Sequence, residues 1–104
     1  MRFPLILAAA ALLCAATPGA HAQDCTRPKS NVERLICSND RVSEAANRMA
    51  FAFFLAYRRT PDDAMRAQIR HEQLEWETQV RDTCPDVPCL LRAYEDRTLY
   101  LEQN

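Results

Sequence analysis

Asn39-Asp40-Arg41-Val42-Ser43-Glu44-Ala45-Ala46-Asn47-Arg48-Met49-Ala50-Phe51-Ala52-Phe53-Phe54-Leu55-Ala56-Tyr57-Arg58-Arg59-Thr60-Pro61 is the stretch that decides the fold. Val42, Ala45, Ala46, Met49, Phe53, Ala56 and Tyr57 recur at three- and four-residue steps, which places them on one face of a long amphipathic helix. Ser38-Asn39-Asp40 supplies a turn and an N-cap ahead of it, and Glu44 and Arg48 form an i,i+4 pair on its flank. Thr60-Pro61 ends this helix. The same two residues are expected to open the next one, with Thr60 as N-cap and Asp62 and Asp63 facing the helix dipole.

Upstream, Ser30-Asn31-Val32-Glu33 fits a capping box that starts a short helix carrying Val32, Leu35 and Ile36. Downstream, Met65, Ile69, Trp76 and Val80 define the face of a second long helix, with Glu72 and Gln73 interrupting the stripe. Pro85 and Pro88 mark a corner. A final helix from about Pro88 carries Leu90, Tyr94 and Leu101 on one side, with Arg97 among them. The expected fold is all-α: a small bundle built on two long antiparallel helices with two shorter flanking ones. The single glycine of the sequence, Gly19, lies outside these segments, so the turns must be made without a residue that enters positive φ freely.

The first 22 residues read as a secretory signal. Met1-Arg2 precedes the apolar run Leu5 to Ala16, and Ala20-His21-Ala22 has the small residues of a cleavage site. The run is shorter than the roughly 20 residues a membrane span requires. Cys14 follows Leu12-Leu13, a poor context for lipid attachment. Cleavage after Ala22 leaves residues 23–104 as a single domain, periplasmic or secreted. Loss of Arg2 moves the formal charge from −1 to −2, with 12 Arg and Lys (13 less Arg2) against 14 Asp and Glu. No basic cluster suited to nucleic acid stands out.

Four cysteines remain beyond the signal: Cys25, Cys37, Cys84 and Cys89. An even number in an exported chain reads as a disulfide framework. Three pairings are open. The expected one is local: Cys25–Cys37 fastens the N-terminal arm to the first helix, and Cys84–Cys89 closes the Pro85-Asp86-Val87-Pro88 corner. A zinc site fits poorly, because the spacings are wrong and His71 is the one histidine beyond residue 22.

No constellation for catalysis stands out. Glu72, Glu75 and Glu77 are close in sequence, but a glycosidase needs two carboxylates about 5–9 Å apart across a cleft, and Glu77 has a simpler partner in Arg81 at i,i+4. There is no glycine-rich loop, no Cys-x-x-Cys and no cofactor motif. We expect a non-enzymatic protein with no cofactor. Trp76 reads as a core anchor, Gln73 as an interhelical hydrogen-bonding group, and His71 as solvated. Arg97 is either a partner for Asp82 or Asp86 or a snorkelling side chain. Phe51, Phe54 and Leu55 point off the core stripe, and the shorter helices are expected to pack over them; left exposed, they would form a partner-binding surface.

Several of these positions together resemble the LprI-like lysozyme-inhibitor family. They are Cys25, Glu33-x-x-Ile36-Cys37, Gln73-x-x-Trp76, Arg81-Asp82-x-Cys84 and Cys89-Leu90-x-Arg92-x-Tyr94-x-x-Arg97-x-x-x-Leu101. The resemblance spans nearly all of residues 23–104. It implies a small exported module that protects the cell wall by occluding a lysozyme's cleft; the alternative is an envelope-stress or assembly protein that binds another envelope protein. The chain departs from the family pattern at two places. Ala45-Ala46 and Phe53 stand where Leu-Asp and Tyr are common, and Arg81 falls five residues after Trp76 instead of four.

Overall fold

The computed structural model describes residues 25–103, so the signal-like segment and Cys14 lie outside the described residues. Four α-helices follow in order: α1 (Asn31–Ser38), α2 (Asp40–Arg59), α3 (Asp63–Gln79) and α4 (Val87–Gln103). A one-turn 3₁₀ helix, Arg81–Thr83, sits between the last two. Among the described residues there is no strand, and none adopts positive φ. The expected all-α, disulfide-stapled bundle is what the chain forms.

Local chemistry sets the helix ends. Ser30 Oγ accepts from the Glu33 amide at 3.1 Å, and the Glu33 carboxylate accepts from the Lys29 amide, one residue earlier than a standard capping box. Asn39 Oδ1 accepts from Val42 at 3.1 Å to start α2. The start of α3 differs from expectation. Thr60 is occupied in closing α2, its hydroxyl donating to the Ala56 carbonyl at 3.0 Å. Asp62 takes the N-cap instead, accepting from Met65 at 3.0 Å, and Asp63 is the first helical residue. Asp86 caps α4 in the same way, accepting from Cys89 at 3.0 Å. Pro88 is tolerated there because the first-turn amides have no intrahelical acceptor.

Both local disulfides are formed, Cys25–Cys37 and Cys84–Cys89, with Cα atoms 5.5 and 5.4 Å apart. One ties the chain before α1 to that helix. The other fixes the corner from which α4 departs.

Helix lengths and partners depart from the expected arrangement of two long and two short. At 17 residues α4 equals α3, and it is α4 that packs most extensively on the 20-residue α2. Small side chains explain the choice. Ala45, Ala52 and Ala56 on α2 let the α4 backbone approach, while Leu90, Tyr94 and Leu101 of α4 fill the space between. Arg59 Nη2, at the end of α2, donates to the Leu101 carbonyl at the end of α4 at 3.1 Å. Ala45 and Leu91, near the two helix starts, line one groove. The pair therefore runs parallel, with α3 returning antiparallel to both. Val32 and Ile36 complete the core from α1.

The α3 face also differs from expectation. Met65 and Val80, at its two ends, are 57% and 43% exposed, while Ile69 and Trp76 are half-buried. The one buried residue of α3 is Gln73, the residue expected to interrupt the apolar stripe.

Candidate docking surfaces

A polar brace joins three helices through Gln73. Its Nε2 donates to Met49 Sδ on α2 at 3.1 Å, and its Oε1 accepts from Arg97 Nε on α4 at 3.0 Å. A buried amide without partners costs on the order of 1–3 kcal/mol. Here its oxygen and nitrogen both have one. The Arg97 guanidinium lies over the Trp76 ring at 5.9 Å and the Tyr100 ring at 5.0 Å. Burial lowers its pKa, opposed by the charges of Tyr100 and Glu72. Arg97 thus pairs with neither acid expected for it. Asp82 bonds to Arg81 Nε at 2.9 Å, and Asp86 is committed to its cap.

Trp76 packs on Tyr94 with ring centroids 5.5 Å apart. Beside them Arg81 is held by Asp82 and, at 3.9 Å, by Glu77. Burial alone would lower the Arg81 pKa; Asp82, Tyr94 and Glu77 together raise it. Gln73, Trp76, Arg81, Asp82, Tyr94 and Arg97 are therefore one cluster at the α3–α4 end. Ile36 and Leu101 are core residues elsewhere, and Glu33 serves the start of α1. Gln73 and Tyr94 are buried in this cluster, Trp76, Arg81 and Arg97 are half-buried, and Asp82 is exposed, so its contacts chiefly hold the helices together.

Burial raises the Tyr94 pKa, against the opposing charge of Arg81. The folded state therefore holds this proton more tightly than the unfolded chain. The resulting stability is fully present below the ordinary tyrosine value of about 10 and is lost as pH rises through the higher folded value. In an alkaline titration, the tyrosinate absorbance missing from Tyr94→Phe should appear above pH ~10 together with loss of helical circular dichroism. Ionisation of Tyr94 at its ordinary pKa, with the helices intact, would contradict this.

Glu72 accepts from Gln68 at 3.3 Å, Glu75 meets His71 at 2.8 Å, and Glu77 meets Arg81. Each carboxylate has a partner four residues away in sequence, and the charged or polar α4 groups near them are Arg97 by Glu72 and Tyr94 by Glu77. Among the described residues no group of three or more His, Cys, Asp or Glu is placed to hold a metal ion. No helix there is long and apolar enough to cross a membrane.

Two solvent-facing surfaces remain. At the α2–α3 corner, Arg58 stacks over Phe54 at 5.6 Å, and Arg66 and Arg70 lie over Tyr57 at 5.0 and 5.6 Å. Arg70 Nη1 also donates to Tyr57 Oη at 2.6 Å, and Arg66 Nε to the Thr60 carbonyl. None of these three guanidinium groups has an ion pair among the described residues. The second surface is the α2/α4 groove on the side away from α3, where Phe51 is 62%, Leu55 37% and Leu99 49% exposed. The expectation that shorter helices cover Phe51, Phe54 and Leu55 is corrected. α4 settles on the alanine edge of α2, and α1 packs on Val42 and its neighbours, so neither reaches these side chains. Spacing off the core stripe marked these residues in the sequence. Nothing there marked the convergence of Arg66 and Arg70 on Tyr57, which requires the α2–α3 turn.

Comparison with family models, curated proteins and solved structures found no match to this chain.

Proposed function

We propose that this chain is an exported, non-enzymatic binding module that inhibits a lysozyme by occluding its cleft. The reading rests on the LprI-like residue pattern and on one structural observation. Arg58, Arg66 and Arg70 stand on aromatic rings at one corner of a stapled bundle, with no carboxylate paired to them among the described residues. A glycosidase cleft carries the opposite chemistry, two carboxylates flanking the scissile bond. Guanidinium groups pair well with carboxylates, and beyond the one donor that Arg66 and Arg70 each spend on Thr60 and Tyr57 the remaining N–H groups can do so. The two disulfides limit the ordering cost of presenting this corner.

Lysis of bacterial cell walls by c-, g- and i-type lysozymes, followed by turbidity, tests the proposal. The oxidised protein should block one type stoichiometrically. The double variant Arg58→Glu/Arg70→Glu should lose at least about tenfold in inhibitory potency, equivalent to ~1.4 kcal/mol. Both side chains are exposed, so its melting temperature should stay close to that of the parent. Absence of any block by the native protein removes the lysozyme reading and leaves a different envelope protein as the partner. A block that survives the double variant places the contact elsewhere on the bundle.

A further inference from the structure

The α2/α4 groove carries a charge pattern with a consequence of its own. On the α2 side its charged lining is Arg41, Arg48 and Arg59, with Glu44 one turn from each of the first two. On the α4 side it is Glu95 and Glu102, with no cation. One edge is therefore net positive by two and the other net negative by two, and the groove as a whole is neutral. None of these charges is ion-paired within the chain among the described residues, so the i,i+4 pair expected between Glu44 and Arg48 is not formed. Outside these charges, farther from the α2/α4 seam, lie the exposed side chains of Phe51 and Leu55 on α2 and of Leu99 on α4.

We propose that this face is a homodimer interface, with a two-fold axis parallel to the helices that lays α2 of each copy on α4 of the other. A two-fold interface uses the same patch twice, so the patch must complement itself. Two face-to-face arrangements exist. An axis across the helices would set α2 on α2 and α4 on α4, arginine edge against arginine edge. An axis along the helices exchanges the edges and sets positive against negative twice over.

That rotation also preserves height along the bundle. Arg48 and Glu102 line one groove within each chain, so the rotation turns the α2 side of that groove toward the α4 side of the second copy. Arg59 lines this groove as well. Phe51 and Leu55 come opposite Leu99 of the second copy, removing apolar surface from water at about 25 cal/mol per Å². A strongly basic or strongly acidic partner would gain nothing comparable from a neutral groove. Arg58 adjoins the dimer face, one turn from Leu55, while Arg66 and Arg70 stand on α3; association is read by sedimentation and inhibition by turbidity, so the two readings are tested separately.

Sedimentation velocity on the purified, oxidised protein at micromolar concentration tests the arrangement. The native chain should sediment as a dimer and dissociate as salt is raised, since the edge charges are screened. Arg48→Glu and Glu102→Arg should each weaken dimerisation by at least about tenfold, because each sets like charges together at both halves of the interface. An equimolar mixture of the two variants should dimerise again, since the two reversals compensate across one half of the interface and the other half is native. Leu99→Asp should be monomeric and, being exposed, should keep its helical spectrum. A monomeric native protein overturns the proposal. So does a dimer indifferent to the charge reversals, or a mixture that associates no better than either variant alone.

Discussion

Tyr94→Ala is expected to leave the protein largely unfolded at 37 °C. Tyr94 is 1% exposed, among the most buried side chains of the described core, and it packs between α4 and α3 against the Trp76 ring. Truncating a buried aromatic to Ala costs about 3–5 kcal/mol in lost burial and residual cavity. Arg81, half-sunk beside it, would lose the neighbour that shares its site. A domain this size has only on the order of 5–10 kcal/mol to lose. The control is Tyr94→Phe, which keeps the ring and forfeits the hydroxyl at about 1 kcal/mol. Urea unfolding at 25 °C, followed by circular dichroism, measures both. A loss under ~1 kcal/mol for Tyr94→Ala would mean that the α3–α4 contact is not part of the cooperative core.

The next largest effect is expected from opening the Cys25–Cys37 bridge. By loop-closure entropy, its 12-residue separation is worth ~3 kcal/mol, and the five-residue separation of Cys84–Cys89 ~2 kcal/mol. Cys25→Ala/Cys37→Ala should therefore lower stability by about 3 kcal/mol. The damage should be local first. Val32 and Ile36 of α1 are seated on α2, and the bridge keeps the segment before α1 from pulling away. Amide exchange should accelerate in α1 before α2 and α4 are affected. Alanine is the right replacement at the other bridge too, because Cys84 is 4% exposed and a serine hydroxyl would be buried there. If removing Cys25–Cys37 changed the unfolding midpoint less than removing Cys84–Cys89, packing at the α3–α4 corner would outweigh loop entropy.

Much of the fold was legible before any coordinates. The stripe along α2, the caps at Ser30 and Asn39 and the two local cysteine pairs are all short-range features. Periodicity, capping and loop closure act within about a dozen residues, so a linear reading captures them. At Thr60 that reading slipped by two residues. Two caps compete there within one turn, and the earlier hydroxyl closes the preceding helix.

The candidate sites were less legible. Phe51, Phe54 and Leu55 stood off the core stripe in the sequence, but whether another helix covers them depends on where α1 and α4 dock. Gln73 looked like a break in an apolar face. It is buried because Met49 and Arg97 converge on it from residues 24 positions away in each direction. The stacking of Arg66 and Arg70 on Tyr57 likewise needs the chain to fold back. The sequence by itself determined which segments are helical and where α1 and α2 begin, and it favoured the local cysteine pairs, because those are local balances of backbone and side-chain chemistry. Only the tertiary structure decided that α4 becomes the parallel partner of α2 and which charged and aromatic faces stay open. The physical reason is that helix partners are selected by complementary volume, and the alanine edge of α2 acquires meaning only when Leu90, Tyr94 and Leu101 arrive to fill it.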